Sequence, residues 1–433
     1  MATTYLTRTF SSPTNRKIWT WSAWVKRQNQ VSNFANALFG AYYNDNNRSV
    51  IRFNAHQLNF QDSANSVEIK TNRLFRDMNA WYHIVVRVDT TQGTASNRVR
   101  MYVNGVQETS FGTSAYPAQN DNMQFNGADP HYINARNSSG VNSIADMSYS
   151  HIHFADGQSL APTVFGETDA TTGEWKIKVD PSFTLGNNGF TILKDGNTIT
   201  DQSSNSNNFT VGAGTLTKTE DCPSNVFCTW NPNYRSARKD MTLTNGNTFI
   251  FEQNSGDSGV SGTIAVSSGK WYWEQKIAQV NGTNAAITGG LHTVEDFSES
   301  PTDAMAANTV GMRSNGNVWK GTTDLGNFTA ATYNNDIIGV GFDADNGSMY
   351  FWRNGTALNS GNAIITGMDM TKTWVPFGVQ HGGARVTTST NFGNGYFQTT
   401  AVSSAGTNAS NNGIFEYDVP SGYTALSTKG LNL

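Results

Sequence analysis

One pattern occurs twice in this 433-residue chain. Trp81-Tyr82-His83-Ile84-Val85-Val86-Arg87-Val88-Asp89 is followed by a polar turn and by Arg98-Val99-Arg100-Met101-Tyr102-Val103-Asn104-Gly105. Ile337-Ile338-Gly339-Val340-Gly341-Phe342-Asp343 is followed by Ala344-Asp345-Asn346-Gly347 and by Ser348-Met349-Tyr350-Phe351-Trp352-Arg353-Asn354-Gly355. Side chains alternate between the two faces of a strand, so each run predicts a strand with one face in a core and the other in solvent. Asn-Gly takes φ > 0 at little cost and closes a tight hairpin. The repeated antiparallel pair predicts an all-β chain of two tandem antiparallel β-sandwiches.

Composition agrees. Charged residues are 14%, Gly is 41 residues, and aromatics reach 12% with 11 Trp. That mixture suits turn-dense sheets, and no stretch sustains the apolar period of a long helix. A net charge of -4 without a Lys/Arg run gives no electrostatic footprint for nucleic acid. No apolar run approaches a membrane span, and the first residues lack the apolar core of a signal peptide, so folding in a cytoplasm without membrane insertion is expected. Cys222 and Cys228 are too few for a tetrahedral metal site, and reduced, partly buried thiols are expected.

The chain divides on texture into three segments. Residues 1–154 carry alternating strands, the most aromatic being Trp19-Thr20-Trp21-Ser22-Ala23-Trp24-Val25-Lys26-Arg27. Residues 155–233 read as an ordered connector with a short helical turn within 155–167. They also predict a hairpin around Asp195-Gly196. Residues 234–433 form the second sandwich, where Trp271 and Trp273 are expected on one face of a strand and Tyr272 and Glu274 on the other.

The strand pairs resemble those of lectin-like, concanavalin A-type jelly rolls. The first unit resembles laminin-G-like domains through residues 19–27 and through Trp81–Asp89 with residues 98–105. The second resembles SPRY domains through Gly269-Lys270-Trp271-Tyr272-Trp273-Glu274, the run Gly339-Val340-Gly341-Phe342-Asp343, residues 349–355, and Pro376-Phe377. The whole chain is similar to bacteriophage virion proteins, marine ones especially, usually labelled tail-fibre or structural. The likeness lies in the connector from His153 to Trp175, the stretch from Asn188 to Thr210, Asp221-Cys222-Pro223-Ser224-Asn225, and the ending from Tyr417 to Leu426. No coiled-coil shaft is evident.

The resemblance implies a virion surface protein, a tail fibre or appendage, that recognises a host-surface glycan. The alternative is a capsid decoration or head-fibre protein that docks other virion proteins, and a glycan-degrading enzyme is the third reading. Glycosidases need two nearby carboxylates on a concave sheet, which on one strand share a face at i and i+2; no Glu-x-Asp-x-Glu run exists, so no catalytic residue is expected. Glu295-Asp296-Phe297-Ser298-Glu299 reads as a solvated loop, and His151 with His153 as sheet surface. No cofactor is implied; the candidates for Ca²⁺ are Asp201 with Asn205 and Asn207, or Asp343 with Asp345 and Asn346, although Asx residues also simply make turns. For sugar, Trp319 between turn signals and Trp352 with Tyr350 on an outward face are the candidate binding residues. Self-association as a trimer is expected, because symmetric repetition multiplies weak contacts.

Overall fold

The computed structural model describes residues 3–28, 36–194, 198–235, 241–252, 258–281, 287–296, 308–330, 334–380, 385–403, 408 and 410–432. Two compact units divide the chain, Met1–Lys218 and Thr219–Leu433. Each holds two large, mainly antiparallel sheets around a core of its own, with small two-stranded sheets beside them. Among the described residues there is no α-helix, only short 3-10 turns such as Pro162–Val164 in the segment where a helical turn is expected. No described helix is long and apolar enough to cross a membrane.

In the first unit an eight-stranded sheet runs in the spatial order Phe111–Ala115, Val67–Leu74, Gln57–Asp62, Asn47–Asn54, Asn36–Asn44, Pro130–Ile133, Tyr5–Thr9, Thr210–Ala213. The facing sheet runs Phe190–Ile192, Met147–Asp156, Ile18–Arg27, Trp81–Asp89, Val99–Val103, Val106–Gln107. Trp19, Trp21, Phe39, Phe60, Phe125 and Phe154 fill the space between them. Their rings lie in offset contact, for example Phe39 on Phe125 with centroids 5.0 Å apart, a favourable aromatic arrangement.

Two expectations change. The segment 155–233 does not stand apart: its part up to Lys218 belongs to the first unit and the rest to the second. Phe190–Ile192 pairs with Met147–Asp156, and Thr210–Ala213 forms the edge strand beside Tyr5–Thr9. Phe190, Ile192 and Phe209 enter the first core, the packing that the apolar residues of an ordered connector require. The Asp195-Gly196 turn lies outside the described residues.

A buried polar knot ties the same segment down. The Asp156 carboxylate accepts the backbone N–H groups of Thr14, Asn15 and Asn188 at 2.7, 3.0 and 3.1 Å and the Asn126 amide at 2.5 Å. The second change concerns Ile18–Arg27, which is buried on both faces rather than one. The Thr20 hydroxyl donates to the Gln158 carbonyl at 2.8 Å, and Phe165 packs on Val85 and Tyr102, so residues beyond 157 cover the outer side of this sheet.

In the second unit one sheet runs Trp230–Arg235, Ser258–Gly262, Trp374–Gln380, Ile287–Thr293, Thr309–Arg313, Asn317–Lys320, Thr323–Asn327. The other runs Met241–Thr244, Phe249–Glu252, Arg385–Asn391, Lys270–Asn281, Ile337–Asp343, Ser348–Arg353, Thr356–Ala357, with Thr424–Ala425 parallel to Lys270–Asn281. Trp271 and Trp273 share the inner core with Ile338, Val340 and Phe342. Tyr272 faces the other way, into a second buried layer made with Phe227, Phe415, Val419 and Tyr423. Neither cysteine forms a disulfide; Cys228 is buried and Cys222 half-buried.

Candidate functional site

The two repeated hairpins agree residue for residue at their closing turns. Asn104 and Asn354 both take φ of 48°, followed by Gly105 at 79° and Gly355 at 77°. The Asn104 amide oxygen accepts the His83 N–H at 2.8 Å, and that of Asn354 accepts the Ile337 N–H at 2.8 Å. A left-handed backbone with a side-chain acceptor aimed at the opposite strand is chemistry that Asn supplies. A ring lies over each closing glycine. A Cβ on Gly105 would stand 2.5 Å from the Trp175 ring, and one on Gly355 would stand 2.6 Å from the Tyr417 ring. In both units a later segment therefore folds back over the hairpin's outer face.

This covering decides how the expected sugar residues sit. Met349 and Phe351 point into the core and Tyr350 and Trp352 outward, as the alternation requires. Yet Trp352 is half-buried, edge-on to Tyr272 at 5.8 Å, and Tyr350 is edge-on to Tyr423 at 6.3 Å. Trp319 is not in a loop: Asn315-Gly316 turns the chain so that Asn317–Lys320 pairs with Thr309–Arg313. It lies half-buried on the opposite sheet from Trp352, with the Arg313 guanidinium over its ring at 4.3 Å, which is cation–π distance. The structure does not bring Trp319 together with Tyr350 and Trp352.

The calcium candidates are occupied by the protein's own donors. Asp201 accepts the N–H groups of Thr191, Ser203 and Asn207 at 2.9, 2.9 and 2.7 Å and the Ser203 hydroxyl at 2.8 Å. The Asn205 amide donates to the Gly189 carbonyl at 2.9 Å and the Asn207 amide to the same oxygen at 2.8 Å, while Arg8 donates to the Asn207 amide oxygen. Asp343 holds the Asn346 N–H and amide at 3.1 and 2.9 Å and Lys270 at 3.1 Å; burial opposes its charge, but these contacts prevail and keep its carboxyl below the usual range. Asp345 accepts the Gly269 N–H at 2.7 Å. Both clusters are turn frameworks. Among the described residues no group of three or more His, Cys, Asp or Glu is placed to hold a metal ion.

Polar groups of catalytic type do occur, buried. Glu274 is fully buried and accepts the N–H groups of Glu416 and Tyr417, each at 2.9 Å, and the Tyr272 hydroxyl at 3.3 Å. Burial pushes its carboxyl up to about 7 despite these bonds. Its work is to clamp residues 416–417 onto the sheet.

Two Ser–His pairs were not legible in the sequence, because their members lie far apart along it. In the first, the Trp175 indole N–H can only donate, so it fixes His83 Nδ1 as the acceptor at 3.0 Å. The proton then sits on Nε2 and donates to Ser22 at 2.8 Å, the wrong direction for a base. Burial, with a contribution from His151, holds this imidazole near 3. In the second, the Thr293 carbonyl lies 2.7 Å from His292 Nδ1, so Nε2 accepts from the Ser261 hydroxyl at 2.7 Å. That is the direction of a nucleophile–base pair, but a carbonyl stands where an orienting acid would, Ser261 is 1% exposed, and burial drives His292 to about 4.

His151 and His153 depart from the expected sheet surface. A bulge between Ser150 and His153 gives His151 a φ of 49°, and His153 is buried against Phe165 and Phe183 with Nδ1 3.0 Å from the Thr191 hydroxyl. Glu295 accepts the Thr373 N–H at 3.2 Å, whereas Phe297, Ser298 and Glu299 lie outside the described residues.

With this geometry in view, residues 2–146 match the family described as the concanavalin A-like lectin/glucanases superfamily. No curated protein matches the chain. Solved structures similar to part of it include the SPRY domain of human HERC1, 16% identical with a TM-score of 0.30, covering 37% of this chain and 96% of that one. The PSpry domain of TRIM65 is 13% identical with a TM-score of 0.29, covering 38% of this chain and 89% of that one. The lectin-like class of the first unit rests on the family match and on its two facing sheets; the second unit is a sandwich of two large β-sheets.

Proposed function

We propose that the protein is a non-enzymatic bacteriophage virion surface protein, a tail fibre or appendage that holds a host-surface glycan without turning it over. The observation that carries the recognition part is the lectin-type sandwich of residues 2–146. Absence of turnover is supported by the buried carboxylates Asp156, Asp201 and Glu274, each spent on the protein's own N–H donors rather than paired across a cleft. The virion part is supported by the likeness of the connector and of the chain's ending to phage structural proteins. In this fold those segments lie over the two hairpins, through Trp175 in one unit and Tyr417 in the other.

A single sugar site of this kind binds weakly, on the order of millimolar, and trimeric copies on a particle raise the effective affinity by roughly 10²–10⁴. Host cells incubated with clustered protein should retain it, immunogold should mark the tail, and sedimentation should give a trimer. Release of reducing ends from host polysaccharide would overturn the reading. Capsid labelling without cell binding would move the protein to a capsid-decoration role.

A further inference from the structure

Three arginines gather on the outer face of the eight-stranded sheet in the first unit. Arg48 and Arg52 flank Val50 on the strand Asn47–Asn54, while Ile51 and Phe53 of the same strand point into the core. Gly40 is the cross-strand partner of Val50. A Cβ on Gly40 would stand 2.7 Å from the Ala135 carbonyl and 3.1 Å from the Arg136 Cα. Arg136 therefore lies directly over the strand pair that carries the other two. Its hairpin is fastened at the tip, where Asp45 accepts the Ser139 N–H at 2.9 Å and hydroxyl at 2.8 Å. Arg136 Nε donates to Asn142 at 3.0 Å, which orients the guanidinium.

The partners of Arg52 and Arg136 orient charge without neutralising it. Arg52, 8% exposed, gives Nε to the Asn59 amide oxygen at 2.7 Å and Nη2 to the Gln61 amide oxygen at 3.1 Å. Glu68, whose charge also acts on Arg52, accepts from Asn59 at 3.2 Å. Only Arg48 faces a carboxylate directly, Asp45 at 3.4 Å in a largely exposed pair. Arg52 Nη1 and both Arg136 Nη groups donate to no described residue. Burial first, then repulsion from Arg136 and Arg48 against attraction by Glu68, lowers Arg52 to about 10, so it stays charged at neutral pH. Burial and then Arg48 lower Arg136 in the same direction. Like charges held together at a half-dry surface cost stability unless an anion joins them.

We propose that Arg48, Arg52 and Arg136 form an oxyanion site that takes the sulfate ester or carboxylate of an acidic polysaccharide. Guanidinium forks match both groups bidentately, and the fastened hairpin pre-orders them. The net charge of the chain is -4, so attraction of a polyanion would be local to this cluster. The inference deepens the glycan reading above and rests on it.

The test is titration of the full chain with dextran sulfate, polygalacturonate and neutral dextran, with inorganic sulfate as competitor. Dextran sulfate or polygalacturonate should bind, the preferred polymer naming the group. Arg136→Gln and Arg48→Gln should each weaken that binding about tenfold without lowering the melting midpoint, whereas Lys17→Gln should leave it within about twofold. Inorganic sulfate should compete. Parent-like binding by both arginine variants would overturn the site. Binding of host polysaccharide but of neither anionic polymer would also overturn it, leaving the glycan reading intact. Arginine-dependent anion binding without any host-cell binding would overturn the glycan reading and keep the site.

Discussion

The two hairpins share their strand register and their closing Asn-Gly, yet differ in what lies on the outer face. In the first copy that face carries His83, Val85 and Arg87; in the second the matching positions are Ile337, Gly339 and Gly341. The glycines let rings lie against the backbone: a Cβ on Gly339 would stand 2.7 Å from the Tyr272 hydroxyl, and one on Gly341 would stand 2.9 Å from Trp352. The first unit seals its covering segment with a neutral imidazole between Ser22 and Trp175. The second seals its covering segment with a carboxyl bound to two backbone N–H groups. One architecture is thus closed by two chemistries with opposite proton preferences.

The inner cores should behave alike, and breaking them gives the largest effect. Trp21→Ala in the first unit and Trp273→Ala in the second each remove a side chain with under 2% exposure, and each should cost about 3–5 kcal/mol in denaturant unfolding. A parent-like midpoint for either variant would mean that its sheet does not face a packed core.

Proton linkage separates the units next. The folded Glu274 carboxyl, raised from 4.5 to about 7, holds its proton more tightly than the unfolded one. Its contribution is therefore present below about 4.5 and lost as pH rises through about 7, on the order of 3 kcal/mol. His292 in the same unit, lowered from 6.5 to about 4, contributes above 6.5 and loses it as pH falls, opposing Glu274. In the first unit His83 and His131, both lowered to about 3 by burial, act together in the acid-sensitive direction. Acidification from pH 7 to 4.5 should thus weaken the first unit and leave the second nearly level. In a Cys222→Ser background, thiol labelling of buried Cys228 reports opening of the second unit alone, because both cysteines lie there. Glu274→Gln should turn that unit acid-sensitive too; labelling that accelerates equally with acid in the parent and the variant would contradict the assignment.

The closing glycines test the covering segments. Gly105→Ala and Gly355→Ala combine a left-handed backbone with a Cβ pressed on Trp175 or Tyr417. Each should cost about 2 kcal/mol. Faster proteolysis within 158–183 for the first variant and within 415–425 for the second would show that each ring lies where the geometry puts it; cleavage unchanged from the parent would not.

What the sequence made legible were strands whose large apolar residues alternate, such as Val99–Val103 and Ser348–Arg353, together with the closing turns. Ile287–Thr293 and Thr309–Arg313 escaped because glycines at 289, 290 and 311 leave almost no alternation to read. Double burial of Ile18–Arg27 escaped for a different reason: Thr20, Ser22 and Trp24 look solvent-facing until residues far along the chain fold over them. The Asx-rich candidates for calcium misled because the same oxygen-rich side chains satisfy turn N–H groups, and sequence does not say which donor comes first. The arginine cluster had a local signal, Arg48-x-Val50-x-Arg52 on one strand face, but its third member arrives from a hairpin near residue 136.

The smallest effect decides the most about adhesion. Trp352 lies among Tyr272, Tyr350 and Gly341, so Trp352→Ala should cost about 2 kcal/mol, and any loss of cell binding would follow the lost fold. Trp319 is half-buried on the other sheet with Arg313 over its ring, and Trp319→Ala should cost only about 1 kcal/mol. The two substitutions therefore separate packing from contact. If Trp319 is a sugar platform, its removal should abolish retention on host cells at a temperature where the melting curve shows the variant fully folded. Retention equal to the parent under those conditions would take Trp319 out of the binding surface.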